Sequence, residues 1–253
     1  MSKKLLVVAA ALSAAATLAL WSPWASGVGA TTPGRSAPAR ANACSGYEPH
    51  LDPRNFVKVI DNPFFPLPVG RKWVYKGIKD GQSQIDRVVV TPRTKVVEGI
   101  TATVVLDVAT HKGKLLEKTF DWYAQDRQGN VWYVGENTTA YLPNGKKDKS
   151  GSWESGVHDG EPGIIMEANP KIPDAYRQEC FSGQAEDAAW VVNRTGSVTV
   201  PFGTVRGVLT TLEATRVEPG AYDQKIYGRG IGIVVEHALT GEPEIAKLVS
   251  MTG

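Results

Sequence analysis

The sequence predicts an all-β protein, a curved antiparallel sheet, half barrel or closed barrel built from two related meanders, on three observations. First, WVYKG (73–77), DRVVVT (86–91), ATVVLDVA (102–109), KTFDWYA (118–124) and NVWYVG (130–135) are short runs rich in β-branched and aromatic residues, bounded by Gly, Pro, Asn or Asp. The pattern resumes in AWVVNR (189–194), GSVTV (196–200), GVLTTLEA (207–214), QKIYG (224–228) and GIVVEHA (232–238), which predicts about ten to twelve strands. Second, after Cys44 no stretch keeps apolar residues at helical spacing for three turns; Gly183 to Trp190 comes nearest and holds a turn or two. Third, an offset of 104 residues lays Gly99 on Gly203, Val104 on Val208, Val105 on Leu209 and Tyr123 on Tyr227 without a gap. FPLPVGRKWVY (65–75) then lies over KIPDAYRQEC (171–180), and DWYAQDRQGNVWYV (121–134) over KIYGRGIGIVV (225–235). These matches outline an internal repeat with units near 65–141 and 171–240.

Taken in order, the chain opens with Lys3 and Lys4 followed by an apolar run to Leu20, the layout of a secretory signal. Small residues suited to cleavage follow at Val28-Gly29-Ala30 and at Ala41-Asn42-Ala43, and the first site sits at the more usual distance, giving a signal peptide over 1–30. The rival is an uncleaved anchor over Leu5 to Trp24, weakened by its many Ala residues. Residues 31–43, rich in Pro, Ala, Ser and Thr, read as a disordered linker. Residues 44–253 are expected to form one β domain with a sizeable core.

The formal charge of +2 is accounted for by Lys3 and Lys4, so the remainder is neutral, or faintly acidic if Arg35 and Arg40 are also removed. No basic stripe marks a nucleic-acid or anionic-lipid surface, and no membrane-embedded part is expected once the signal is cleaved. In an oxidising compartment the two cysteines, Cys44 and Cys180, are expected to pair. Such a bond closes a loop of about 135 residues, nominally worth about 4 to 5 kcal/mol. A lipid-modified Cys44 is the alternative, and Asn42 fits it poorly.

The stretches FPLPVGRKWVY and YGRGIGIVVEH resemble the TapB-like domains of unknown function, an uncharacterised bacterial exported β-rich family. Phe65, Pro66, Leu67, Gly70, Trp73 and Tyr75, then Tyr227, Gly230, Gly232, Val235 and Glu236, carry the resemblance; Ile226 and Gly228 depart from it. It implies a curved antiparallel sheet and brings no catalytic residue with it.

Familiar catalytic signatures are missing: there is no G-x-S-x-G, H-E-x-x-H, Walker loop or C-x-x-C. Cofactors stay unassigned. The run Gly228 to Gly232 sits between two strands and reads as a tight turn. The adjacent pairs Trp122-Tyr123 and Trp132-Tyr133 place large rings on both faces of a sheet, and with Trp73, Tyr75 and Trp153 they suggest an aromatic wall for a ligand; core filling is the plainer use of the same rings. Pro143 to Pro170 has no counterpart in the second unit and is expected to lie as a loop across one opening. It gathers Trp153, Glu154, His158, Asp159 and Glu161, to which Glu179, with Glu186 and Asp187 beyond it, stands next in the chain. An imidazole with carboxylates suits a cation or a general base with an orienting acid, but the spacing alone assigns no metal set.

Three functions fit these residues. The leading one is a non-catalytic extracytoplasmic binder of an apolar or aromatic small molecule, lipid or peptide. The second is a secreted hydrolase or metal-dependent enzyme using His158, Asp159, Glu161 and Glu179. The third is an envelope assembly or interaction protein, with Lys146, Lys147 and Lys149 as solubilising residues at a loop tip.

Overall fold

Period-2 alternation of buried and exposed side chains runs through nearly every long element of the structure, a computed structural model that describes residues 44–253 apart from Asp80 and Glu242. The signal-like segment and the whole of the linker lie outside the described residues. A two-residue strand β1 (Phe56–Val57) precedes a first meander of β2 (Lys72–Lys79), β3 (Gln82–Val97), β4 (Ile100–His111), β5 (Lys114–Asp126) and β6 (Val131–Tyr141). The connecting segment supplies β7 (Lys147–Asp148), β8 (Trp153–Glu154) and β9 (Glu161–Met166). A second meander follows: β10 (Ala175–Arg177), β11 (Glu179–Cys180), β12 (Asp187–Asn193), a separate hairpin of β13 (Ser197–Val200) and β14 (Gly203–Arg206), then β15 (Leu209–Thr215), β16 (Tyr222–Gly228) and β17 (Gly232–Ala238). β18 (Ile245–Thr252) completes the sheet. Among the described residues the helical content is one 3-10 turn, Pro53–Asn55, and no helix is long and apolar enough to cross a membrane.

All pairings are antiparallel, and the strand order β10-β12-β15-β16-β17-β18-β2-β3-β4-β5-β6-β9-β11 closes the sheet almost completely into a barrel. Closure comes from chain continuity. β10 pairs with β12, β11 pairs with β9, and only Gln178 separates β10 from β11, its N–H donating to the Asp187 carbonyl at 2.8 Å. The stretch 175–180 is therefore one seam strand that joins both ends of the sheet. The other junction between the meanders is β18, which pairs with β17 and runs along β2 from Thr252↔Lys72 to Ile245↔Ile78.

Two expectations change here. The segment 143–170 does not lie as a loop across an opening: β7, β8 and β9 pair with β6, because Gly163, Ile164, Ile165 and Met166 provide a short extended run whose apolar side chains reach the core. β18 falls beyond the last strand read from sequence, since Lys247 and Ser250 interrupt its apolar pattern.

The seam is held tightly but briefly. A Cβ on Gly163 would fall on the backbone of Arg177 and Gln178, so only glycine lets β9 approach the seam strand this closely. Residues 44–47 then clasp it from outside: Cys44 is bonded to Cys180, the Tyr47 hydroxyl donates to the Pro162 carbonyl at 2.9 Å, and the Arg177 guanidinium sits 5.3 Å from the Tyr47 ring centre.

Adjacent aromatic residues divide between the faces as the pleat requires. Tyr123 and Tyr133 join the main interior cluster; Trp122 points outward into a smaller cluster with Val97, Ile100 and Val104, covered by Leu51 and Phe56. The bulge between β5 and β6 falls at Trp122/Tyr123, and that between β16 and β17 at Ile226/Tyr227, positions that the 104-residue offset superposes.

The clasp gives a direct expectation. With a sequence separation of 136, loss of the disulfide in Cys44→Ser/Cys180→Ser should lower unfolding stability by up to about 4 to 5 kcal/mol, read as an earlier denaturant midpoint. An unchanged midpoint would mean that the seam does not limit stability.

Candidate binding site

The aromatic residues singled out from sequence are mostly core. Trp73, Trp122, Tyr133 and Trp153 are all buried. Tyr123 stacks on Tyr133 with centroids 4.9 Å apart, Phe65 meets Tyr123 edge-on at 5.2 Å, and Trp153 meets Tyr133 at 5.4 Å. The Trp73 indole donates to the Ile231 carbonyl at 2.7 Å, and the half-buried Trp132 donates to Asp126 at 2.9 Å. The cavity left among Phe65, Trp73, Tyr75 and Tyr123 is about 40 Å³, room for a water and not for a ligand. These rings form a packed stack in place of an open wall.

The polar candidates are scattered. His158 and Asp159 are exposed in a turn with φ of 51° and 62°, Glu161 is half-buried, and Glu179 is fully buried on the inner side of the seam. Glu154 pairs with Lys95 at 3.0 Å, and Glu186 accepts the Gly183 N–H at 2.7 Å. Among the described residues no group of three His, Cys, Asp or Glu side chains is arranged to hold a metal ion.

A groove of about 780 Å³ lies on the outer face of the second meander, over β10, β12, β15 and β16. Its origin is register. Ala189 and Glu213 face the interior, so Ala188, Trp190 and Ala214 face outward; Arg177, Ala188, Ala214 and Tyr222 then fall in one cross-strand row. Two adjacent alanines leave the floor hollow, and the turns at Ser182–Gly183 and Arg216–Tyr222 raise rims on either side. Trp190 and Tyr222 stand exposed at 38% and 43%, unusual for rings of this size. Arg177 and Arg216 bring two positive charges to the groove, whose one lining carboxylate, Glu186, is buried and committed to Gly183.

The barrel interior has the opposite character. Inside the first meander lie Asp86, Asp107, Glu117, Asp121 and Glu136 with Lys79; inside the second lie Glu179, Asp187, Glu213, Asp223 and Glu236 with Lys225, all 6% exposed or less. Several face each other directly across strands: Asp121 opposite Glu136, Glu213 opposite Asp223, Lys225 opposite Glu236. Lys225 lies 2.6 Å from Glu213 and 3.6 Å from Glu236; burial opposes its charge, but the two carboxylates outweigh that and raise it. The Tyr133 hydroxyl donates to one oxygen of Asp121 at 2.8 Å, Gln84 donates to Asp86 at 2.8 Å, and Thr119 to Glu117 at 3.2 Å. The second oxygens of Asp121 and Glu236 and the Tyr123 hydroxyl have no partner.

Burial is the leading cause that pushes Asp86, Glu117 and Asp121 up to about 7 and Glu236 to about 8; it also raises Glu136, where Asp121 adds to it. In the unfolded chain these carboxyls release protons near 4. Their contribution to stability is therefore complete below about 4 and is lost as pH rises through about 7 to 8. The melting temperature should accordingly be higher at pH 5 than at pH 8, by about 5 °C or more; a maximum near pH 8 in a thermal scan would contradict the acid interior.

No protein-family model matches the chain, and no curated protein matches it in sequence. The TapB-like resemblance accordingly stands on its strand and turn residues alone. Among solved structures, a protein assigned as exported, with a YmcC-like fold, from Bacteroides fragilis matches with TM-score 0.45 and 17% identity over 75% of this chain and 99% of its own. A protein assigned as a lipoprotein from Parabacteroides distasonis matches with TM-score 0.40 and 15% identity over 76% of this chain and 100% of its own. At these scores neither likeness identifies a family or a ligand, and no conclusion rests on them.

Proposed function

We propose that the protein is an extracytoplasmic, non-catalytic binding protein whose outer groove holds a small molecule with a flat apolar body and an anionic group. The observation that carries this reading is the pair of exposed rings, Trp190 and Tyr222, over an alanine floor beside Arg177 and Arg216. The volume of about 780 Å³ suits one small organic ligand. Exposed rings offer stacking surface at little conformational cost, and a guanidinium favours a planar anion. The sense of charge follows from the Arg216 guanidinium at the rim, while the lining carboxylate Glu186 is committed to Gly183. Export is supported by the Lys3-Lys4 start before an apolar run and by the Cys44–Cys180 bond, which an oxidising compartment preserves.

Isothermal titration with 2-naphthalenesulfonate tests this. One saturable site is expected, with Trp190→Ala weakening binding about tenfold, the scale of one lost aromatic contact. Arg216→Ala should weaken the sulfonate while leaving uncharged 2-naphthol unaffected. Binding that survives Trp190→Ala unchanged would place the ligand elsewhere, and the groove would lose its role.

A further inference from the structure

The groove and the acid interior meet at the seam. Ala175 and Arg177 line the groove, and past Gln178, where the alternation breaks between β10 and β11, Glu179 faces the interior groups Asp187, Trp153 and Lys225. We infer that Glu179 gates the groove: while its carboxyl is neutral the seam strand stays zipped between β9 and β12 and the groove is formed, and when it ionises residues 175–178 lift from β12 and the groove wall is lost. This rests on the binding reading above and adds its regulation.

Three features of the geometry carry the inference. The seam is short on both sides: β11 meets β9 through Glu179↔Pro162 and Cys180↔Glu161, and β10 meets β12 through Ala175↔Trp190, Tyr176↔Ala189 and Arg177↔Ala188, against seven residue pairs between β18 and β2. Glu179 is 0% exposed, and its carboxyl meets the Asp187 carboxyl and the Trp153 indole, with no cation of its own. The groups that face it leave a negative charge uncompensated. From β12 comes Asp187, from β6 Glu136 and the Tyr133 hydroxyl, from β5 Tyr123, from β8 the Trp153 indole, and from β16 Lys225. Of these Lys225 is the one cation, already 2.6 Å from Glu213 and 3.6 Å from Glu236.

Burial, reinforced by Asp187, raises the Glu179 carboxyl well above its ordinary range, so the neutral form persists in acid and the charged form arrives as pH rises. A charge appearing there meets Asp187 and Glu136 in a medium with little water, and local separation of the short β10–β12 ladder relieves it. The disulfide fixes Cys180, so the free end of the motion is 175–178, the part that builds the groove.

The test uses hydrogen exchange and titration calorimetry of the intact protein between pH 5 and pH 10, with exchange corrected for its intrinsic pH dependence and 2-naphthalenesulfonate, which stays ionised throughout, as the probe. Wild type should lose protection at 175–180 and at least tenfold in affinity as pH rises. Glu179→Gln, neutral at every pH, should keep both, and Asp187→Asn, which removes the charge that an ionised Glu179 meets, should shrink the loss. The inference is overturned if Glu179→Gln follows wild type, if seam protection is constant with pH, or if the seam opens while affinity stays the same. Absence of probe binding at pH 5 would defeat the binding reading instead, and exchange at the seam would still judge whether Glu179 holds it shut.

Discussion

Everything in this structure depends on closing a large antiparallel sheet through one short strand. An open sheet of this length would present two bare edges, each a template for pairing with another chain. Residues 175–180 remove both by pairing with β12 along one half and β9 along the other. So few backbone pairs supply little on their own, and the seam draws on three reinforcements: the glycine contact at Gly163, the Cys44–Cys180 bond, and Tyr47 reaching Pro162 and Arg177. The groove is a by-product of the same closure, since it forms where the seam strand brings Arg177 alongside Ala188 and Ala214.

Closing the sheet also encloses whatever its inner face carries, and here that face is acidic. Among the described residues each meander contributes five carboxyl groups and one lysine to the interior. Ionised together, they would repel strongly in a poorly hydrated space, whereas carboxylic acids that keep their protons can donate hydrogen bonds as well as accept them. The fold therefore trades part of an ordinary apolar core for one whose cohesion depends on protonation, and the seam, with Glu179 on its inner side, is where that dependence meets short backbone pairing.

Much of the architecture is legible in the sequence because it is local. The β-branched and aromatic runs mark β2 to β6 and β12 to β17, and glycines at 99, 113 and 129 mark their turns. The pairing of Cys44 with Cys180 is likewise legible from residue count and compartment. What escapes is non-local. β9 hides in a segment rich in Gly, Pro and Asp, and β18 in a run broken by Lys247 and Ser250; each becomes a strand because a partner waits in space. Trp190 reads as one more strand aromatic until register sets Ala188 and Ala214 side by side. The interior acids occur singly on many strands, so no cluster is visible along the chain, although Glu117-x-Thr119-x-Asp121 and Asp223-x-Lys225 show a polar inner face at period two. In the pairs Trp122-Tyr123 and Trp132-Tyr133 the tyrosines stack in the main core and the tryptophans pack in the smaller outer cluster.

The central claim, that the ligand site is the outer groove and not the barrel interior, is tested most directly by following backbone amide and indole NMR resonances during titration with 2-naphthalenesulfonate. The account predicts shifts concentrated at Arg177, Ala188, Trp190, Ala214 and Tyr222, with Trp73, Tyr123 and Trp153 unmoved. Shifts centred on those interior rings, or spread over the barrel without a focus, would contradict it.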